Sequence, residues 1–222
     1  SNAMPLTDTP PSVPQKPRRG RPRGAPDASL AHQSLIRAGL EHLTEKGYSS
    51  VGVDEILKAA RVPKGSFYHY FRNKADFGLA LIEAYDTYFA RLLDQAFLDG
   101  SLAPLARLRL FTRMAEEGMA RHGFRRGCLV GNLGQEMGAL PDDFRAALIG
   151  VLETWQRRTA QLFREAQACG ELSADHDPDA LAEAFWIGWE GAILRAKLEL
   201  RPDPLHSFTR TFGRHFVTRT QE

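Results

Sequence analysis

The sequence has few cysteines and no long apolar run. Only two of its 222 residues are cysteines, Cys128 and Cys169, which is too few for a disulfide framework and fits a reducing compartment. No apolar stretch approaches the ~20 residues that a membrane-spanning helix needs, and the N-terminal residues lack the apolar core of a signal peptide. These absences predict a soluble, cytoplasmic protein with no membrane partner.

The net charge is only +2, yet positive residues cluster near the N-terminus. We interpret residues 1–3 as the remnant of a cleaved expression tag, and residues 1–27 as this remnant plus a flexible, proline-rich basic arm. A basic arm ahead of a nearly neutral body indicates contact with nucleic acid. The arm's basic residues are Lys16, Arg18, Arg19, Arg21 and Arg23.

Strand-like alternation is absent, and helical periodicity begins at Ala28 and continues through the chain. Apolar residues recur at helical spacing, and glycine and proline mark the ends of the segments. The pattern predicts an all-α chain of about nine helices, three short and six longer. The predicted helices cover about 28–46, 53–60, 64–70, 75–98, 102–121, 128–137, 141–168, 178–199 and 203–217.

Residues 28–74 have the organisation of a helix-turn-helix, in which the second helix of the pair enters the DNA major groove. The candidate recognition helix starts at Lys64, and Gly65 allows its backbone to approach DNA closely. Phe67 and Phe71, four residues apart, are expected to face the core rather than the DNA. The predicted DNA-binding residues of this unit are Lys64, Gly65, Ser66, Tyr68, His69, Tyr70 and Lys74, the last as a phosphate ligand.

The stretch from Val53 to Lys74, VDEILKAARVPKGSFYHYFRNK, resembles the signature of the TetR family of transcriptional repressors. The resemblance implies a TetR-like fold: a three-helix DNA-binding domain followed by a six-helix domain for ligand binding and dimerisation, residues 75–222. It implies a homodimer that binds a palindromic operator and releases it when a small effector binds.

Two positions depart from the family pattern. Gly52 replaces a Thr or Ser, and Arg61 replaces the turn glycine, either as an added DNA contact or as a strained turn residue.

The basic arm admits two interpretations. Its Arg-Gly-Arg-Pro stretch resembles an AT-hook, in which Arg19, Arg21 and Arg23 would enter a narrow A·T-rich minor groove. Alternatively, the arm is a solvated tail that adds only non-specific affinity.

The resemblance implies that helices 141–168 and 178–199 pair with their counterparts in a second chain. Gly188, Gly191 and Ala192 would permit close helix approach, and Phe185 would add apolar area. Three tryptophans, Trp155, Trp186 and Trp189, either fill the core or interface or line a ligand pocket.

Cys128 is predicted near the N-terminus of a helix, where the helix dipole, together with Arg125 and Arg126, would favour a thiolate. Its surroundings resemble those of electrophile-sensing TetR regulators, a subgroup that includes the repressor of the N-ethylmaleimide reductase operon and acrylate-responsive regulators. The resemblance implies that Cys128 is the sensor and that Lys197 lies beside it. The alternatives are an inert buried cysteine and a surface lysine.

Four polar residues are candidates for holding a small carboxylate effector: Asn132, Gln135, Arg195 and Lys197. The sequence shows no catalytic motif, metal-ligand spacing or cofactor motif, so we expect no enzyme activity, no metal and no cofactor. Asp175-His176-Asp177 precedes Pro178 and is interpreted as a helix cap rather than a metal site. The alternative functions are an architectural DNA-binding protein without a ligand, and an activator of the same fold.

Overall fold

A computed structural model gives the backbone of residues 24–216 and the side chains of residues 30–214 and 216. Within that range the chain is all-helical, as predicted, with nine α-helices and two 3₁₀ turns, Met137–Ala139 and Arg214–Phe216. The helices are α1 (Gly24–Lys46), α2 (Val53–Ala60), α3 (Lys64–Tyr70), α4 (Lys74–Phe97), α5 (Pro104–Ala120), α6 (Leu129–Gln135), α7 (Asp143–Ala168), α8 (Pro178–Glu199) and α9 (Asp203–Gly213).

Most helix ends lie within one to three residues of the predicted positions. The largest differences are α1, which begins four residues before Ala28, and α9, which ends at Gly213 before a 3₁₀ turn. Asp177 caps α8 by accepting hydrogen bonds from the backbone N–H groups of Asp179 and Ala180, as expected for an Asx cap. No helix in the part of the chain that the structure describes is long and apolar enough to cross a membrane.

Helices α1, α2 and α3 form a small unit around a shared apolar core. Leu35, Ile56 and Phe67 are almost fully buried, and Phe71 is buried beside them. The prediction that Phe67 and Phe71 belong to the core is therefore confirmed. Their burial leaves the opposite face of α3 free to meet a ligand.

Helix α4 joins this unit to the C-terminal bundle through close glycine contacts. A β-carbon on Gly39 of α1 would lie 2.6 Å from Phe77 Cζ, and one on Gly78 would lie 2.5 Å from Phe144 Cζ. Only glycine fits at such distances without displacing a ring. Helix α4 is thus packed against α1 on one side and α7 on the other.

The C-terminal bundle buries the residues that the sequence suggested for a dimer surface. Phe185 and Ala192 are buried within their own chain, and Gly188 accommodates the ring of Phe208 from α9. Of the small residues predicted to allow close helix approach, only Gly191 faces open space. The expectation that Gly188, Ala192 and Phe185 contribute to an interface is therefore wrong, because α9 already covers that face of α8.

Arg61 ends α2 in the left-handed conformation, with φ 55° and ψ 44°, at the position of the family's turn glycine. A β-carbon in this region costs about 1–2 kcal/mol. We expect Arg61→Gly to raise the free energy of unfolding by about 0.5–1 kcal/mol, because the relief of strain exceeds the added entropy of the unfolded chain.

Chemical denaturation measures this change, with Arg61→Asn as the control that removes the charge and tolerates a positive φ. Unchanged or lower stability of Arg61→Gly would contradict the strain interpretation. Operator affinity, measured on the same two variants, tells whether the guanidinium also contacts DNA.

Candidate DNA-binding surface and ligand cavity

The outer face of α3 presents most of the predicted DNA-binding side chains to solvent. Lys64, Gly65 and His69 are exposed, and Tyr68 is 50% exposed. Ser66 and Tyr70 are partly buried, and the Tyr70 ring packs edge-on against His32 of α1. An exposed short helix that carries donors and a cation is suited to the major groove. Tyr70 has a packing contact in addition to any role at DNA.

Lys74 lies at the start of α4, but its ammonium group is engaged within the chain. Its Nζ donates a hydrogen bond of 2.7 Å to the Tyr48 carbonyl and lies 4.2 Å from the centre of the Tyr48 ring. Burial lowers the Lys74 pKa. This geometry places the Lys74 ammonium at the junction between α4 and the α1–α2 loop, and its contact with a phosphate stays a prediction. The predicted arm residues Arg19, Arg21 and Arg23 lie outside the described residues.

A cavity of about 940 Å³ lies between α1, α4, α5 and α8. Its mouth carries exposed charged residues such as Arg37 and Arg91, and its wall includes Phe89 and Trp189, both buried. The volume is within the range of small-molecule sites, which combine apolar walls with a few polar groups.

Three interacting polar side chains form one wall of this cavity: Tyr85 of α4, Cys128 just before α6, and Glu190 of α8. Burial raises the pKa of the Glu190 carboxyl to about 7. Burial also raises the pKa of the Cys128 thiol well above its ordinary value, and the Glu190 charge raises it further. Tyr85, too, has a raised pKa, chiefly through desolvation.

The expected thiolate at Cys128 is therefore wrong for the unliganded protein. Cys128 does precede a helix, but it is only 7% exposed, and the charged side chain that shifts its pKa is Glu190 rather than an arginine. Desolvation and a negative neighbour both favour the neutral thiol, and they outweigh the dipole of a seven-residue helix.

A second cavity, of about 550 Å³, adjoins the first and shares Cys128 and Glu190 with it. It contains Asn132, Gln135 and Lys197 among its lining residues, so three of the four predicted carboxylate-binding residues lie close together. Arg195 does not line either cavity, because it points to solvent and pairs with Glu199 at 2.9 Å. Burial lowers the Lys197 pKa.

Two of the three tryptophans fill the core instead of lining a cavity. Trp155 stacks on Phe89 with ring centres 4.1 Å apart, and Trp186 donates its indole N–H to Thr159 at 2.9 Å. Both are buried and neither lines the two cavities described above, whereas Trp189 does line the larger one. Of the two alternatives left open by the sequence, Trp155 and Trp186 belong to the core, and Trp189 to the cavity wall.

Helix α6 connects the cavity wall to the helix-turn-helix unit. At its far end Glu136 accepts hydrogen bonds from the backbone N–H groups of Tyr48 and Ser49, at 2.8 and 2.9 Å. Asn132 donates its side-chain N–H to the carbonyls of Leu43 and Thr44, at 3.1 and 2.8 Å. One short helix therefore has Cys128 at its start and holds the end of α1 and the α1–α2 loop at its other end.

Comparison with known proteins identifies the family. Residues 35–81 match a family model described as "Bacterial regulatory proteins, tetR family", and residues 104–212 match one described as "Tetracyclin repressor-like, C-terminal domain". The chain is 34% identical over 176 residues to the HTH-type transcriptional repressor DhaR of Mycobacterium sp. (strain GP1), across 79% of this chain and 87% of that repressor. The chain belongs to the TetR family.

Other relatives of this TetR-family protein agree in sequence and in fold. It is 30% identical over 179 residues to the transcriptional repressor NemR of Escherichia coli (strain K12), across 79% of this chain and 88% of NemR. The crystal structure of reduced E. coli NemR superimposes with a TM-score of 0.78 at 27% identity, across 86% of this chain and 99% of that one. The predicted resemblance to a NemR-like subgroup is confirmed by these matches.

The TetR-family assignment makes this protein a transcriptional repressor and not an enzyme, since DhaR and NemR are both named as repressors. TetR regulators bind operator DNA, dimerise and respond to small effectors. No group of three or more metal-binding side chains lies together among the residues that the structure describes.

Three residues of the site were missed by sequence reasoning: Tyr85, Glu136 and Glu190. Glu190 could have been identified from the sequence, because it follows Trp186 by four residues and precedes Ile193 by three. This spacing places a carboxylate on the apolar face of α8. Glu136 could not, because its partners are 87 and 88 residues away in the chain.

Proposed function

We propose that this TetR-family repressor binds a palindromic operator as a homodimer and releases it when a small unsaturated compound, such as acrylate, occupies the cavity beside Cys128. The observation that carries the proposal is the position of α6, which forms part of the cavity wall at Cys128 and holds the helix-turn-helix unit through Asn132 and Glu136. We therefore expect an effector that displaces or disorders α6 at Cys128 to alter the contacts at its other end.

A stripe of exposed apolar side chains on α8 supports dimerisation. Ile187, Leu194 and Leu198 are 68%, 47% and 73% exposed, and their spacing of seven and four residues places them on one helical face. On the neighbouring α7, Ile149 is 48% exposed. Exposed apolar residues on two helices that pack together are a feature of protein–protein interfaces.

We expect Leu194→Glu to shift the protein from dimer to monomer, because it places a charge in the centre of this apolar stripe. Sedimentation velocity at micromolar concentration measures the change. The matched control is Leu98→Glu, since Leu98 is 70% exposed but lies after α4, away from the stripe. A dimeric Leu194→Glu protein, or a monomeric control, would contradict the proposed interface.

We expect an effector in the cavity to act on the DNA-binding surface by changing the populations of two conformations of the protein, rather than by direct contact. An effector that fits one arrangement of α6 better than another shifts the population toward that arrangement. A difference of about 1–3 kcal/mol in effector affinity between two states changes operator affinity by about 5–150-fold. This is enough for release at a single operator.

An operator-release assay with acrylate and N-ethylmaleimide tests the role of Cys128. N-Ethylmaleimide reacts with the small fraction of thiolate in equilibrium with the neutral thiol: sulfur bonds to one alkene carbon as the C=C π bond breaks, and the proton released by the thiol ends on the other carbon. The expected result is that Cys128→Ser loses the N-ethylmaleimide response, while Cys169→Ser, which alters the exposed cysteine, keeps it.

Comparing acrylate with N-ethylmaleimide distinguishes effector binding in the cavity from covalent reaction at Cys128. Release of Cys128→Ser by acrylate alone would mean that acrylate acts by occupying the cavity, with Cys128 as part of its wall. Full release of Cys128→Ser by both compounds would exclude the thiol from sensing. No release of the wild-type protein by either compound would overturn the proposed effector class.

A further inference from the structure

The cluster of Tyr85, Cys128 and Glu190 offers hydrogen-bond donors at the inner wall of the larger cavity. The carboxyl of Glu190 lies directly against the backbone of Gly131, where an added β-carbon would be 2.5 Å from Glu190 Oε2. The Cys128 thiol interacts with both Glu190 and Tyr85. The glycine at 131 thus leaves the space in which the carboxyl stands beside the thiol.

The rim of the cavity carries charges of both signs, and proton donors lie inside. Arg37, Arg91, Arg121 and Glu83 are exposed at the rim, whereas Tyr85 and Glu190 are partly buried and Cys128 is buried. Since burial raises the pKa of Glu190 to about 7, its carboxyl carries a proton for a large part of the time near neutral pH. A protonated carboxyl is a donor as well as an acceptor.

We propose that Glu190 is the effector-recognition residue of this cavity: its carboxyl O–H donates a hydrogen bond to the carboxylate of a small monocarboxylate effector, with the Tyr85 hydroxyl as a second donor. The inference rests on the proposed function and names the ligand chemistry of the same site. The effector's short apolar tail then packs against Phe89 and Trp189, which line the same cavity. Binding of the anion requires the proton on Glu190, because two carboxylates without a shared proton repel each other.

Other charged groups surround Glu190 and must be distinguished from it. Histidines also change charge near neutral pH, so the test needs a variant that removes only the Glu190 proton. Tyr85 and Cys128 face Glu190 directly, and Lys46, Glu136 and Lys197 line the adjoining cavity. The larger cavity is also lined by His32, Arg37 and Glu41 from α1, by Glu83, Tyr88 and Arg91 from α4, and by Arg121, His122 and Arg126 from the segment after α5.

The test is calorimetric titration of the full-length protein with acrylate and with acrylamide between pH 6 and pH 8.5. For wild type, the acrylate dissociation constant is expected to rise by about 30-fold across this range, following loss of a proton with a pKa near 7. Acrylamide, whose amide can accept from the acid or donate to the carboxylate, is expected to change by less than about threefold.

The matched variant is Glu190→Gln, which keeps the shape and supplies a permanent N–H donor. It is expected to bind acrylate with little pH dependence, while operator binding confirms that it is folded. In buffers of different ionisation enthalpy at pH 8.5, wild type should take up about one proton per acrylate bound, and Glu190→Gln about none.

The outcomes separate the two proposals. Acrylate binding that is independent of pH in wild type, or that keeps the full pH dependence in Glu190→Gln, would overturn the role of Glu190 and leave the proposed effector class standing. Binding of neither compound at any pH would overturn the effector class, and the role of Glu190 with it.

Discussion

Replacing Tyr68 by alanine is expected to weaken operator binding by about 30-fold or more. Tyr68 is half exposed on the outer face of α3, so its removal leaves the core intact. A specific contact in the major groove contributes about 1–3 kcal/mol. A homodimer makes the contact twice, so the loss is about 2–6 kcal/mol, and even the lower limit is a factor of about 30 in the dissociation constant.

Fluorescence anisotropy with a labelled operator and excess random DNA measures this loss. Tyr88→Ala is the matched control, because Tyr88 is a tyrosine of similar exposure, 54%, but lies on α4 at the mouth of the cavity. Equal operator affinity of wild type and Tyr68→Ala, with the control also unchanged, would remove Tyr68 from the DNA contact. Loss in both variants would point to a general effect on folding instead.

Replacing Glu136 by alanine is expected to separate effector binding from operator release. The Glu136 carboxylate holds two backbone N–H groups of the α1–α2 loop, and hydrogen bonds to a charged group contribute about 1.5–3 kcal/mol each. Without them the effector still enters the cavity, but movement of α6 no longer reaches the α1–α2 loop, and only the Asn132 hydrogen bonds to the end of α1 remain. The effector's influence on operator affinity should fall by about 10-fold or more.

Operator affinity with and without saturating effector, together with effector affinity by calorimetry, measures the coupling. Glu171→Ala is the matched control: Glu171 also accepts a backbone hydrogen bond, from Leu105 at 3.3 Å, but within the C-terminal bundle. Reduced coupling only in Glu136→Ala is the expected pattern. If Glu136→Ala retains full release, or if both variants lose it equally, the Glu136 hydrogen bonds are not the route of transmission.

The helices were predictable because their signals are local. Apolar spacing and Pro178 located α8, and the predicted span of 178–199 agrees with the structure. The same local reasoning overestimated α6, whose predicted ten residues are seven in the structure, followed by a 3₁₀ turn. Local signals also identified the exposed face of α3, since Phe67 and Phe71 showed which side faces inward.

The ligand site was only partly predictable, because its properties depend on burial and on distant contacts. Dipole and arginine arguments favoured a thiolate at Cys128, but desolvation and the approach of Glu190 act in the opposite direction. The exposed position of Arg195 likewise follows from the rotation of α8 against its neighbours, which the sequence does not specify. The role of Glu136 can be recognised only from the structure, in which α1 and α6 are in contact.

The composition of α6 has a consequence for how its motion would occur. Two of its seven residues, Gly131 and Gly134, are glycines, each of which disfavours a helix by about 1 kcal/mol relative to alanine. A helix this short and this poor in helix-forming residues depends on neighbouring segments for its order. Loosening its anchor at either end is therefore expected to disorder the segment as well as displace it, so that a loss of helical order, and not only a rigid movement, would connect the cavity with the DNA-binding unit.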